Sequence, residues 1–201
     1  MKIFNNRIYF NTFFKKGVKT ITDDWGVYYV TGYQGSGKNY FATFMSNLLT
    51  YQKVKTNVKS LVLPNKKMEY FTKITDITSD TEEYMVYIID EVSKKYNKNS
   101  KPDDLFYSWL QQSRKRKRIC ILITQEWKEV PMWLRRPARY MFHTTQLFNL
   151  PIFITTKGDA INQTFNSDTM EWECPILERY IYKRNKSIAN MYDTFEPIQE
   201  L

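Results

Sequence analysis

Three stretches of the chain are apolar at nearly every position: Val27–Val30, Tyr84–Ile89 and Ile119–Ile123. A strand buried on both faces of a parallel sheet reads this way, whereas a half-exposed strand would alternate. Between them the period changes. After Gly37, the residues Phe41, Phe44, Met45, Leu48 and Leu49 recur at helical spacing and predict a helix over 40–49 docked on a sheet. Asp103 or Asp104 can cap a second helix running to about Lys115, with Leu105, Phe106, Trp109 and Leu110 inward. Val54–Val58 alternates as a short strand, Leu61–Pro64 ends in a breaker, and 65–83 is polar and carries no clear period. Pro131–Arg136 reads as a helical turn stopped at Pro137, and Tyr140–Thr144 as the next strand.

Strands alternating with helices make this an α/β chain with a mainly parallel sheet and helices on both faces. The organisation expected is one domain. Residues 1–150 form its core, with an aromatic N-terminal extension over 1–24 (Tyr9, Phe10, Phe13, Phe14) covering a sheet edge. Residues 151–201 add a β-rich C-terminal appendage, including Ile152–Thr156 and Tyr180–Tyr182, and a polar tail.

The ends of the apolar runs carry the chemistry. Val27–Thr31 leads into Gly32-Tyr33-Gln34-Gly35-Ser36-Gly37-Lys38-Asn39-Tyr40. A glycine-rich turn between a strand and a helix lets backbone N–H groups close on a polyphosphate, and the helix start adds its positive dipole end. Gly32, Gln34, Gly35, Ser36, Gly37, Lys38, Asn39 and Tyr40 are therefore the candidate nucleotide-binding residues, with Lys38 reaching the outer phosphates. Asn39 stands where a serine or threonine hydroxyl normally meets magnesium; an amide oxygen can serve the same hard cation. The second run ends in Asp90-Glu91 and the third in Gln125. In open parallel sheets ligands bind outside the carboxyl ends of the strands, so these groups converge on the loop. Asp90 with Asn39 is the expected magnesium site, Glu91 the base for an attacking water, and Gln125 the group that bonds that water or the terminal phosphate and senses its presence. ATP and Mg2+ are the cofactors this pattern asks for.

Charge adds a partner. Thirty Lys and Arg against 21 Asp and Glu leave +9, which favours an anionic ligand, nucleic acid first. The densest basic run is Arg114–Arg118, and Arg135, Arg136 and Arg139 form a second set; such side chains can face DNA phosphates, enter a neighbour's nucleotide site, or merely be solvated. Cys120 and Cys174 form neither a disulfide framework nor a zinc pattern, and His143 in a strand-like run reads as a core residue. The N-terminus lacks the apolar stretch of a secretory leader, and no stretch reaches the length of a membrane span.

Gly-Tyr-Gln-Gly-Ser-Gly-Lys, then Val-Tyr-Ile-Ile-Asp-Glu, then Ser-Arg-Lys-Arg-Lys-Arg-Ile-Cys-Ile-Leu-Ile-Thr-Gln resembles the FtsK–HerA superfamily of P-loop ATPases. The likeness lies in its viral branch: genome-packaging ATPases of tailless viruses and Zot-like assembly ATPases of filamentous phages. It covers residues 25–147, with a weaker echo at Met191-Tyr192-Asp193-Thr194. The resemblance implies a RecA-like sheet with an additional strand, in which the strand ending at Gln125 lies between those ending at Gly32 and Asp90. It implies that Arg114 is an arginine finger, and that the active form is a DNA-threading ring, commonly a hexamer, in the cytoplasm of an infected host cell or associated with the virion. A capsid, portal or membrane protein is a further implied partner. Zot-like proteins carry a membrane span after the ATPase region and none is present in these 201 residues, so an ATP-driven packaging translocase is expected over an extrusion ATPase. A small-molecule kinase and a non-hydrolysing DNA- or capsid-binding module are the remaining alternatives.

Overall fold

The computed structural model describes residues 9–10, 25–49, 52–148, 150–168 and 171–193; the other aromatics of the N-terminal extension and Thr194 lie outside them. Its elements in chain order are β1 (Tyr9–Phe10), β2 (Gly26–Thr31), α1 (Lys38–Leu48), β3 (Lys53–Thr56), β4 (Lys67–Tyr70), α2 (Thr75–Thr78), β5 (Met85–Ile89), α3 (Val92–Lys95) and α4 (Asp104–Gln111). There follow β6 (Ile119–Ile123), a 3-10 turn (Trp127–Glu129), α5 (Met132–Arg135), β7 (Ala138–Gln146), β8 (Ile152–Asp159), β9 (Thr164–Asn166), β10 (Glu171–Glu173), β11 (Ile176–Lys183) and α6 (Lys186–Ala189).

The main sheet has the order β1-β11-β8-β7-β2-β6-β5-β3-β4. From β7 to β4 all neighbours are parallel, and β8, β11 and β1 continue the sheet antiparallel. As expected, β6 lies between β2 and β5. The C-terminal strands β8 and β11 extend the same sheet, and Tyr9–Phe10 pairs along its edge.

Burial follows the pleat. Tyr28 and Val30 of β2, Val86 and Ile88 of β5, and Ile119, Ile121 and Ile123 of β6 pack on one face with Phe41, Phe44 and Met45 of α1. Their neighbours Val27, Tyr29, Tyr87, Ile89, Cys120 and Leu122 pack on the other face with Phe106, Trp109 and Leu110 of α4. Period-two alternation into two cores is what makes these strands apolar throughout.

Four expectations change. Leu105 is 70% exposed and Leu48 also faces solvent, so neither belongs to its helix's inward face. The second helix stops at Gln111, because 112–117 turns back with Lys117 at φ 52° and the Arg118 N–H bonds the Ser113 carbonyl. The polar stretch 65–83 supplies β4 and α2. His143 lies exposed on β7, its Nδ1 3.1 Å from Thr31 Oγ1. The Asp103 cap stands as read: its carboxylate accepts from the Phe106 N–H at 3.0 Å.

Candidate active site

β2 ends at Thr31 and the chain enters a turn that only glycine can make. Gly32 (φ 146°) and Gly37 (φ 89°) occupy positive-φ backbone, and both are sterically closed. A Cβ on Gly32 would lie 2.3 Å from the Thr144 carbonyl oxygen and 2.4 Å from Ser36 Oγ, and one on Gly37 would lie 2.6 Å from the Phe153 ring. α1 starts immediately after Gly37, with no acidic residue in its first turn, so its open N–H groups meet an anion without competition. The Ser36 hydroxyl is buried with no hydrogen-bond partner among the described residues. Lys38 folds back over the loop, donating to the carbonyls of Gly32 (2.7 Å) and Tyr33 (3.0 Å). Burial lowers its pKa, opposed by the charges of Asp90 and Glu91.

The two neighbouring strand ends face this loop. Asp90 follows β5 and is buried; desolvation pushes its carboxyl up to about 6, against the pull of its hydrogen bonds. Its Oδ2 accepts from Asn39 Nδ2 at 2.8 Å and its Oδ1 from the Glu91 N–H at 2.8 Å. Asn57, at the end of β3, brackets the Asp90 backbone, accepting from its N–H (2.8 Å) and donating to its carbonyl (3.2 Å). Glu91 sits in left-handed backbone (φ 53°, ψ 41°) and ion-pairs with Lys94. Strain of that kind in a non-glycine residue is held by its surroundings and clusters at working sites. At the end of β6 the Gln125 carbonyl accepts from the Gly32 N–H at 2.9 Å, welding the third strand end to the first glycine of the loop. The Gln125 side chain is exposed toward the cleft, beside the buried Thr124 hydroxyl, which has no hydrogen-bond partner among the described residues.

These groups line one cleft of about 430 Å³. Gln34, Gly35, Gly37, Lys38, Asn39, Asp90, Glu91 and Gln125 all border it. Gly32, Ser36 and Tyr40 support its floor: Tyr40 is buried, stacked on Phe153 with ring centroids 5.2 Å apart. The residues fit a magnesium nucleotide. Two closed glycines and an orphan hydroxyl make a cradle for phosphate oxygens. Magnesium keeps several waters and shares phosphate oxygens, so one carboxylate and one amide oxygen can hold it. Asn39 and Asp90 are the side chains that would hold it, and it would neutralise phosphate charge there.

Arg114 is not in the cleft. It is exposed and lies against Gly26, whose added Cβ would be 3.7 Å from Arg114 Cγ. Gly26 begins the strand that ends at the loop, so Arg114 stands roughly 20 Å away at the opposite edge of the sheet. The rest of the basic run divides. Arg118, read as possible DNA-facing charge, is fully buried, donating to the carbonyls of Glu82 (2.7 Å) and Asp80 (2.6 Å) between the rings of Tyr87 and Trp109. Arg135 is likewise buried against Trp127, bonded to the carbonyls of Val130 and Lys128. Both are structural; Arg114, Lys115 and Arg136 stay exposed.

Asn57, Lys94, Thr124 and a C-terminal group of Arg184, Tyr192 and Asp193 were not singled out from the sequence as part of this site. Asn57 carried the same signal as Gln125, a polar residue at the carboxyl end of a strand.

No family model matches the sequence, and no curated relative matches it. Solved structures do. The N-terminal domain of zonular occludens toxin from Neisseria meningitidis aligns over 84% of this chain and 98% of its own, with 19% identity and a TM-score of 0.58. The genome packaging NTPase B204 of Sulfolobus turreted icosahedral virus 2, solved with ATP-gammaS, aligns over 78% of this chain and all of its own, with 12% identity and a TM-score of 0.51. The same protein with AMP gives 13% identity and a TM-score of 0.52. The fold is that of a RecA-like P-loop NTPase. The parallel strand order β2-β6-β5 and the glycine loop before α1 belong to that fold.

Proposed function

We propose that the protein is a magnesium-dependent ATPase of Zot-like type, using hydrolysis to move DNA during virus assembly or extrusion. The observation that carries the ATPase reading is the convergence of Lys38, Asn39, Asp90, Glu91 and Gln125 on one cleft from three adjacent strand ends. Their chemistry divides the work. The backbone N–H groups of Gly35–Tyr40 and the ammonium of Lys38 take the phosphates; Lys38 exchanges its two loop carbonyls for phosphate oxygens. Asn39 and Asp90 would hold a magnesium ion, which would neutralise phosphate charge there. Glu91 accepts the proton of a water aligned by Gln125, and phosphoryl transfer then depends mostly on positioning and charge neutralisation. A tandem Asp-Glu with a glutamine on the intervening strand suits water as acceptor, which favours hydrolysis over a small-molecule kinase.

Two observations support the nucleic-acid half. The net charge is +9, and B204 is a genome packaging NTPase. Between branches, the greater likeness to the zonular occludens toxin domain favours the assembly and extrusion reading over packaging. Among the described residues no helix is long and apolar enough to cross a membrane. Arg114 lies too far from its own cleft to act there, so its proposed role as a finger requires a neighbouring copy of this chain. The test is ATP turnover by the purified protein with and without DNA: DNA-stimulated hydrolysis is expected. Failure to hydrolyse ATP at any concentration that permits oligomers would overturn the proposal.

A further inference from the structure

Half of the cleft wall has no part in the hydrolytic chemistry. Phe153, Gln146, Arg184, Tyr192 and Asp193 border the cavity alongside the phosphate loop. Three of them belong to one segment, Arg184–Asp193, which follows the last strand and crosses the front of α1.

Its course is fixed at both ends. β11 runs antiparallel to β8 and so finishes at the same sheet edge as the phosphate loop, where the Arg184 N–H donates to the Pro151 carbonyl at 2.7 Å. The Asn185 N–H donates to Tyr40 Oη at 2.8 Å. Ile188 of α6 is buried in the core shared with α1, and Tyr192 packs against the same core. At the far end the Val62 N–H donates to the Met191 carbonyl (2.7 Å) and the Asp193 N–H to Ser60 Oγ (2.9 Å). The segment thus bridges from the β8 side of the cleft to the loop after β3, beside Val58. A strap anchored at four points by main-chain groups holds its side chains in register with the loop.

We propose that this strap is the nucleoside subsite: Arg184 meets the ribose hydroxyls, and the Tyr192 ring lies against the base. The proposal rests on the reading that the cleft takes a nucleoside triphosphate. A cleft of about 430 Å³ lies in the range that holds a whole small ligand rather than phosphate groups alone. A guanidinium offers a planar fork of donors suited to phosphate or hydroxyl oxygens, and aromatic faces and edges accept a planar base. Tyr40 links the two halves. Its main chain belongs to the helix turn facing the phosphates, while its hydroxyl anchors the first residues of the strap.

The experiment is calorimetric titration of the full chain with two probes, Mg·ATP and Mg·tripolyphosphate, the second lacking a nucleoside. Arg184→Ala and Tyr192→Ala are each expected to weaken ATP by about tenfold or more while leaving tripolyphosphate within about twofold of wild type. Tyr192→Phe should keep ATP affinity, and Lys38→Ala should lose both probes. Since Arg184 is exposed, its variant decides the matter even where Tyr192→Ala does not fold. Strap variants that bind ATP like wild type, or lose both probes equally while folded, overturn the subsite. Wild-type protein that binds tripolyphosphate and ATP with equal affinity also overturns it, and leaves the phosphate site standing. Wild type that binds neither overturns the nucleotide reading itself.

Discussion

Asn39 Nδ2 donates to Asp90 Oδ2 at 2.8 Å, joining the first turn of α1 to the end of β5. The residue that departs from the usual phosphate-loop pattern is thereby tied to the acid it is expected to share a cation with. Its amide uses the nitrogen for this bond and leaves Oδ1 for a magnesium shell. Asn39→Ala should weaken Mg·ATP binding and lower hydrolysis, whereas Asn39→Ser, restoring a hydroxyl that can serve both partners, should retain turnover. Steady-state ATPase rates against magnesium concentration distinguish them; equal loss in both variants would remove the shared-cation role.

Asp90 gives a pH prediction. Burial raises its folded-state pKa to about 6, above the unfolded value near 3.9. For a carboxyl raised in this way, protonation favours the fold: the favourable term is full below the unfolded value and is lost as pH rises through about 6. Metal-free protein should therefore lose stability between about pH 4 and 7 from this group, and Asp90→Asn should stabilise the fold at pH 8 by on the order of 1–3 kcal/mol, while abolishing magnesium-dependent hydrolysis. Because magnesium competes with the proton, the acid limb of the ATPase profile should move to lower pH as magnesium rises. A limb insensitive to magnesium would show that another group governs it.

Glu91 separates binding from chemistry. Glu91→Gln should reduce hydrolysis by roughly 10²–10⁴-fold and keep ATP binding, since it removes proton acceptance and the Lys94 ion pair but no proposed phosphate contact. Single-turnover measurements with labelled ATP check this directly. Loss of binding together with hydrolysis would recast Glu91 as a structural residue holding its strained turn.

Within the basic run the prediction is a division of labour. Arg118→Ala should destabilise the fold by about 2–4 kcal/mol, because the carbonyls of Asp80 and Glu82 are left without their donor and a fully buried side chain is deleted. Arg114→Ala should leave the melting temperature unchanged. Denaturant unfolding of the two variants tests this, and equal stability would place Arg118 at the surface.

The strand ends were legible in the sequence because fully apolar runs mark buried parallel strands, and the polar residue that follows each run marks the ligand edge. The places of Gly32, Asp90 and Gln125 were read that way, Lys38 from the glycine-rich turn, and the position of β6 between β2 and β5 only from the family resemblance. What could not be read had a weaker local signal. Among the described residues β4 pairs only with β3, and its ends are exposed, so it shows no apolar run. Arg118 looks like any other residue of a charged stretch; its burial depends on two carbonyls more than 30 positions earlier in the chain. Leu105 fits the apolar period of α4, yet among the described residues nothing covers it. The strap residues Arg184 and Tyr192 reach the cleft through the antiparallel return of β8 and β11, a matter of topology that no local pattern carries.

The proposed hydrolytic site is completed by a neighbouring copy. Its most direct test is the ATPase rate per molecule as protein concentration is raised, with and without DNA, for wild type and Arg114→Ala. A cooperative rise, steeper with DNA, is expected for wild type, with a loss of roughly 10³–10⁵-fold in the variant at unchanged nucleotide affinity. A rate per molecule that is flat with concentration, or an Arg114→Ala protein that turns over normally, would contradict the account.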